Sequence, residues 1–370
     1  MKYENVCVEA FTCTLPEEII TTDELEKRLD PLYQRLHLNP GRLELMTGIK
    51  ERRIWEAGKL PGDQSVQTIK DLLQTTQFDP GRVGALIHAS VCRDYQEPAT
   101  ACSVHHRAGL SQNAAVFDIS NACLGILSGM SQIANMIELG QIQAGIVVGT
   151  ESSRTLMETT IKIMNSDTSI DRQKFKKVFA SLTIGSGSAA VLLTHRSISR
   201  TGNRLLGGVF QANTAECKLC QSELDVSAGG KGNGQLMWTD SETLLHKGVA
   251  TAKLAFDPFM EELDWAPNEI DAMFCHQVGK AHQNLLMETL QLDNDRNFIT
   301  LPYLGNTGST ALPTAAALGI ESGFAVPGSR IALLGIGSGI NVIMFGIEWN
   351  TTLPGNCSKS TLDRFRKLNA

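Results

Sequence analysis

Ile184-Gly-Ser-Gly187 runs into the apolar stretch Ala189–Leu193, and Ile336-Gly-Ser-Gly339 runs into Val342–Phe345, an offset of 152 residues (336 less 184). Each copy reads as a glycine-rich turn entering a buried strand, because glycine tolerates the backbone angles and close approaches that a tight turn imposes. A structural unit used twice is therefore expected. Length points the same way, since 370 residues exceed the ~250–300 over which a single hydrophobic core stops growing. Around these turns, strand-length apolar runs occur at Val83–Ala89, Ala114–Ile119, Ala144–Gly149, Ala189–Thr194, Asp271–Cys275, Arg330–Gly335 and Val342–Ile347. Helical patterns lie between them at Val66–Leu73, Leu124–Leu139, Glu242–Phe256, Val278–Leu290 and Thr310–Gly323. Thr21-Thr-Asp-Glu24 has the spacing of a capping box and predicts a further helix running towards Asp30-Pro31. Strands alternating with helices predict an α/β fold whose strands are covered on both faces. We divide the chain into an N-terminal half (1–195), a C-terminal half (196–349) and a polar, solvated tail (350–370).

Composition excludes several classes of function. With 42% hydrophobic and 19% charged residues the chain is neither disordered nor fibrous. A net charge of −6 argues against nucleic acid or an anionic membrane surface as the main partner. No apolar run reaches the ~18–20 residues of a membrane span. Nine cysteines without regular spacing, behind a start that lacks the basic-then-apolar run of a secretory signal, predict a cytoplasmic protein with free thiols.

Three windows carry chemistry. Cys123 follows the apolar run Ala114–Ile119 and opens a helical pattern among the small residues Ala122, Gly125 and Gly129. A thiol at such a strand-to-helix turn is a candidate nucleophile, its thiolate favoured by the helix N-terminus. His276 follows Asp271–Cys275, at the carboxyl end of a strand, where α/β sheets place their sites. Asn306 lies in Leu304-Gly-Asn-Thr-Gly-Ser-Thr310, a glycine-bounded turn whose amide can donate into a site. Alone, each has a plain structural reading. Together they supply a nucleophile and two donors for a developing oxyanion. Cys217-Lys-Leu-Cys220 is a single C-x-x-C without a second ligand pair, and His105-His106 reads as surface, so no metal is expected. The Gly-Ser-Gly turns match neither a phosphate loop nor a dinucleotide fingerprint, so no nucleotide cofactor is implied.

In this order the motifs resemble the thiolase superfamily, specifically its ketoacyl-ACP synthase III group. The matching stretches are Thr47-Gly-Ile-Lys-Glu-Arg-Arg53, Asn121-Ala-Cys-Leu-Gly125, Ile184-Gly-Ser-Gly-Ser-Ala-Ala190, His276-Gln277, Gly305-Asn-Thr-Gly308 and Gly335-Ile-Gly-Ser-Gly339. The resemblance implies a five-layered αβαβα fold of two duplicated halves, in a homodimer. It implies that Cys123 accepts an acyl group from a thioester. The N–H of Cys123 and one from the Gly337-Ser338-Gly339 loop would form one oxyanion hole, while His276 and Asn306, flanked by Gly305 and Gly308, would stabilise the enolate of a second thioester. Within the group, Arg42-Leu-Glu-Leu-Met-Thr-Gly-Ile49, Cys92-Arg-Asp-Tyr-Gln-Glu-Pro-Ala-Thr100 and His276-Gln-Val278 are similar to the long-chain acyl-CoA enzymes that condense two chains head to head in olefin and ketone biosynthesis. In that subgroup a partner-subunit glutamate acts as base, and Glu97 stands at its position, 26 residues before the cysteine (123 less 97). The substrates implied are acyl-CoAs. The alternative within the fold condenses acyl-CoA with malonyl-ACP, an acyl carrier protein being the second partner. A cysteine hydrolase shares the order Cys, His, Asn, but here Leu124 follows the cysteine in an α/β pattern. Met157, Ile161, Ile163 and Met164, in the segment Glu151–Phe179, are candidates for the wall of an acyl tunnel.

Overall fold

A computed structural model describes residues 1–224 and 235–370. Its frame is a nine-stranded sheet made of β1 (Val6–Thr14), β2 (Ala85–Ala89), β3 (Ala115–Ile119), β4 (Ala144–Glu151), β5 (Gly187–His195), β6 (Arg204–Ala212), β7 (Ala272–Cys275), β8 (Ser329–Gly337) and β9 (Asn341–Trp349). The helices that position the site and the core are α1 (Pro61–Thr76), α2 (Thr100–Arg107), α3 (Gly125–Glu138), α4 (Ser241–Leu263), α5 (Lys280–Leu290), α6 (Ala311–Ser322) and α7 (Lys359–Leu368).

The strand order is β7-β8-β9-β6-β1-β5-β4-β2-β3. β1 and β6 meet at one pair, Cys7↔Arg204. Outward from β1, β5 and then β4 pair antiparallel, and β2 and β3 follow parallel. Outward from β6, β9 and β8 pair antiparallel and β7 follows parallel. A counterpart of β3 would lie beyond β7, where a parallel bridge, Met273↔Asn297, occupies its place. The two halves are thus copies of one plan, and the repeated turns fall at equivalent points: Gly187 opens β5, and Gly339 lies two residues before β9. Where the second half turns within residues 338–340, the first inserts the helices Arg154–Ser166 and Arg172–Val178 between β4 and β5.

Alternation along the strands builds five layers. Leu86, Ile146, Val148 and Leu192 pack with Val66, Ile69 and Leu72 of α1 on one outer face. Ile87, Val147 and Val191 of the first half, and Phe274, Leu333 and Phe345 of the second, face the central helices α3 and α6. Met273, Cys275, Leu334 and Met344 pack with Val249, Phe256 and Leu286 of α4 and α5 on the opposite outer face. Every residue of Ala311–Ile320 is buried, and at Gly319 only the lack of a side chain lets α6 fit: a Cβ there would lie 2.5 Å from the Phe274 ring.

Departures from the sequence reading have local causes. β1 and β6, which join the halves, break the apolar pattern. Glu9 of β1 is buried and accepts hydrogen bonds from Thr194 Oγ1 (2.8 Å), the Arg200 N–H (3.1 Å) and Ser199 Oγ. Gly207 and Gly208 of β6 are pressed against backbone, where a Cβ would fall 2.1 Å from the Met1 carbonyl and 1.9 Å from that of Met344. β3 is not covered as expected but forms the sheet edge, half-buried along its whole length. The tail is largely exposed or half-buried but docks one helix on the core. Ser358 caps α7 by accepting from the Thr361 N–H (3.3 Å), Leu362 and Phe365 enter the central core, and the Asn369 side chain bonds both the N–H (2.6 Å) and the carbonyl (3.0 Å) of Ile299. Positions 362 and 365 lie on one helical face, so a polar composition concealed an amphipathic helix.

Candidate active site

The carboxyl ends of β3, β4 and β7 and the turn before β9 open on one cavity of about 920 Å³. Cys123, His276 and Asn306, more than 150 residues apart at the extremes, all line it.

Cys123 lies in the short turn Ala122–Leu124 between β3 and α3. Ala122 adopts φ +45°, a left-handed backbone that a non-glycine residue seldom takes, and itself lines the cavity. Gly125 follows, where a Cβ would come within 3.0 Å of the Ala89 carbonyl. The backbone N–H groups of Cys123 and Ser338 both act on the sulfur, opposing the rise that burial imposes on the thiol. Ser338 can approach because Gly337 has no side chain: a Cβ there would lie 2.9 Å from Leu124. Asn341 Nδ2 donates to Asn121 Oδ1 (3.3 Å), tying the turn before β9 to the cysteine turn. Burial, with Glu151 as the next contributor, pushes the Cys123 thiol up to about 12. The resting group is therefore a neutral thiol; the helix N-terminus alone does not make the thiolate that the sequence suggested.

His276 leaves β7 with its N–H bonded to the Leu334 carbonyl (3.1 Å). The ring is 4% exposed, neither nitrogen has a partner, and burial lowers it to about 3, so it is a neutral imidazole able to accept a proton or donate one hydrogen bond. Gln277 is an anchor: it donates to the Phe298 carbonyl (2.8 Å) and accepts from the Thr300 and Leu301 N–H groups (2.9 and 3.0 Å), fixing the segment that leads to Asn306.

Asn306 is gripped by its backbone, donating to the Thr183 carbonyl (2.9 Å) and accepting from the Gly185 N–H (2.8 Å). Its Oδ1 accepts from the Gly308 N–H (2.9 Å), so the group left for the cavity is the Nδ2 amide. Gly305 (φ +65°) and Gly308 (φ +57°) shape the turn; Gly308 lines the cavity and Gly305 stands behind it against the Thr183 carbonyl. Gly337 and Ser338 also line the cavity, whereas Gly339 lies behind them in the turn.

The structure does not bring Glu97 to Cys123 within one chain. It stands exposed in the loop between β2 and α2 and is absent from the cavity lining. Met157, Ile161 and Met164 do not form the cavity wall either. They build a separate apolar cluster with Leu25, Leu29 and Phe175, against which Ile163 packs, and the same inserted segment contributes Leu156 and Phe179 to the cavity instead. Cys220 lines the cavity while Cys217 is exposed, and His105 Nε2 bonds the Ser111 carbonyl (2.9 Å). Among the described residues no cluster of three metal-ligating side chains occurs, and no helix is long and apolar enough to cross a membrane.

Among the polar groups of the cavity wall that sequence reasoning missed, two are buried and titratable. His282, on the first turn of α5, is buried and lowered to about 4 by desolvation. Glu151, the last residue of β4, is 4% exposed, and burial holds its carboxyl above the usual range. The strand-length run was read only to Gly149; two more residues of strand carry Glu151 into the site.

Comparison with known proteins gives a concordant set. The family model "Thiolase, N-terminal domain" matches residues 50–201, and "3-Oxoacyl-[acyl-carrier-protein (ACP)] synthase III C terminal" matches 260–349. An acyl-CoA:acyl-CoA alkyltransferase of Shewanella oneidensis is 40% identical, over 94% of this chain and 100% of its own. One from Xanthomonas campestris pv. campestris is 32% identical over the same shares. A solved Cys-to-Ser variant of Xanthomonas campestris OleA with bound lauric acid and lauroyl-CoA has a TM-score of 0.87 at 30% identity, covering 94% of this chain and 100% of that one.

Proposed function

The chain belongs to the thiolase superfamily, among its ketoacyl-ACP synthase III-like condensing acyltransferases, and from that premise we propose that it joins two fatty acyl-CoAs head to head by a non-decarboxylative Claisen condensation. The observation that carries the reading is the convergence of Cys123, His276 and Asn306 on one large cavity, with two separate donor sets. The Cys123 sulfur attacks the first thioester, CoA leaves as a thiol, and the N–H groups of Cys123 and Ser338 receive the tetrahedral oxyanion. Because the resting thiol is neutral, its proton must pass to the departing CoA sulfur, and the unpartnered His276 imidazole, one of two neutral imidazoles at the cavity beside His282, is the group that relays it. A base then removes the α-proton of the second acyl-CoA. Asn306 Nδ2 and His276 hold the enolate oxygen while its carbon attacks the acyl-Cys123 carbonyl; the new C–C bond forms and the cysteine leaves.

The α-proton base is Glu97 of a second copy, since Glu97 of the same chain stands outside the cavity. The half-buried edge strand β3, with Ala115, Val116, Phe117 and Ile119, offers the apolar edge on which a second chain would add its own strand. The halves 1–195 and 196–349 act as one unit, the first bringing the nucleophile and the second His276 and Asn306. A reducing cytoplasm as the compartment of the reaction is supported by the free thiols.

Incubation with a fatty acyl-CoA alone tests the reading. The expected result is one CoA released per β-ketoacyl-CoA formed, the β-keto acid and a second CoA following once water cleaves that thioester, with an acyl adduct on the wild-type protein that disappears in Cys123→Ala. Strict dependence on malonyl-ACP with release of carbon dioxide would assign the chain to the decarboxylating reaction instead.

A further inference from the structure

Among the described residues three carboxylates line the condensing cavity, Asp240, Glu242 and Glu151; only Glu151 is buried, and nothing in the reaction above uses it. Four donors converge on it. The Val91 N–H reaches Oε1 at 3.0 Å and the Cys92 N–H reaches Oε2 at 3.2 Å; Ser309 gives Oε1 its N–H at 3.3 Å and its hydroxyl at 2.5 Å. No cation pairs with it among the described residues. Each of these hydrogen bonds is a donation to the carboxylate, three of the four from backbone N–H groups that cannot accept, so the ionised form is the one these neighbours fit best; a protonated carboxyl could turn only to the Ser309 hydroxyl.

The donors come from two loops with different tasks. Val91 and Cys92 begin the segment that runs to Glu97, and Ser309 follows Gly308, whose N–H is held by Asn306 Oδ1. The contact is close enough that a Cβ on Gly308 would lie 3.1 Å from Glu151 Cγ. The charge also reaches the nucleophile: after burial, Glu151 is the largest cause holding the Cys123 thiol up.

We propose that Glu151 is a positioning residue of the condensation site, its carboxylate locking the Val91–Cys92 segment to the Gly308–Ser309 turn so that Asn306 is presented to the enolate, while its charge acts on the Cys123 sulfur. The role rests on the condensing reading above. It predicts that the acceptor geometry and the negative charge can be separated. In Glu151→Gln the amide NH₂ opposes a backbone N–H and the charge is gone. In Ser309→Ala one clamp contact is lost and the charge stays.

The test uses the full-length protein and two readouts: kcat and KM for condensation of a fatty acyl-CoA, and the pH profile of Cys123 alkylation by iodoacetamide, followed by peptide mass. Glu151→Gln is expected to lower kcat by roughly 10- to 100-fold, the range for hydrogen bonds to a charged group, with KM nearly unchanged. Its alkylation profile moves to lower pH. Ser309→Ala is expected to lose less activity and keep the wild-type profile. An unchanged kcat in either variant overturns the proposal, as does a Glu151→Gln enzyme that loses kcat with its alkylation profile unmoved, since a filler role alone would do that. Should Glu151→Gln fail to fold, the Ser309→Ala kcat decides. Were the wild-type enzyme to make no β-keto product, the condensing reading would fall, while the alkylation profile would still report on Glu151.

Discussion

Replacing Asn306 by Ala separates the two half-reactions. In the structure Asn306 Oδ1 is engaged by the Gly308 N–H at 2.9 Å, so the deletion removes one turn contact and one cavity-facing amide. The turn contact is worth about 0.5–1.5 kcal/mol of stability, and the Thr183 and Gly185 backbone bonds, at 2.9 and 2.8 Å, remain to hold the loop. The amide is worth more to the reaction: removing one preorganised oxyanion donor costs about 10²–10³ in rate, or about 2.7–4 kcal/mol of barrier. In the proposed mechanism acyl transfer to Cys123 uses a different pair of donors, the N–H groups of Cys123 and Ser338. The expected outcome is therefore an enzyme that still forms its acyl adduct at close to the wild-type rate by intact mass, yet yields β-keto product roughly 10²–10³ more slowly. Asn306→Asp is the control, because a carboxylate still accepts from Gly308 but sets a negative charge where the enolate forms; it should fold normally and condense no faster than the alanine variant. Equal losses of adduct and product in Asn306→Ala would refute the division of labour, and so would condensation within tenfold of wild type.

Acid should unfold the protein through its buried histidines. His276, His88 and His282 are depressed by desolvation to about 3, 4 and 4, so between those values and their ordinary 6.5 the unfolded chain binds more protons than the folded one. Their stabilisation is fully present above pH 6.5 and is lost as pH falls towards 4, on the order of a few kcal/mol for each group; thermal unfolding midpoints that do not fall across this window would contradict it. Gly185→Ala places a Cβ 1.9 Å from the Leu304 carbonyl, a backbone atom that cannot rotate away, and is expected to cost roughly 3 kcal/mol or more, read by chemical denaturation. Phe365→Ala removes a ring 2% exposed beside Phe298 and Tyr303 and is expected to cost about 3–5 kcal/mol. Hydrogen exchange should show that loss first in residues 359–368; unchanged protection there would mean that the tail helix does not depend on this anchor.

What could be read from the sequence and what could not divide along the range of the interactions involved. Cys123, His276 and Asn306 each end a strand or open a turn among glycines, so a local window carries both the residue type and the backbone that exposes it. The same holds for the paired Ile-Gly-Ser-Gly turns, whose equivalence follows from identical neighbours. β1 and β6 failed the local test because what makes them strands is distant: Glu9 is tolerated only through Thr194, Ser199 and Arg200, and Gly207 only because the chain start crosses it. β3 looked like an interior strand because apolar alternation records that a face is covered and says nothing of whether the next strand belongs to the same chain.

Glu151 is the sharpest case. In sequence it follows Gly149-Thr150, where a charged residue after an apolar run marks the start of a loop, and its four donors come from positions about 60 residues before it and 158 after it. A carboxylate so placed is unfavourable unless all those donors arrive together, so its burial is a property of the closed fold and of no segment within it. The residue that local reading would assign to solvent thereby stands where a change of charge reaches both the Asn306 turn and the Cys123 sulfur, and that is why its substitution should alter catalysis and thiol reactivity in the same variant.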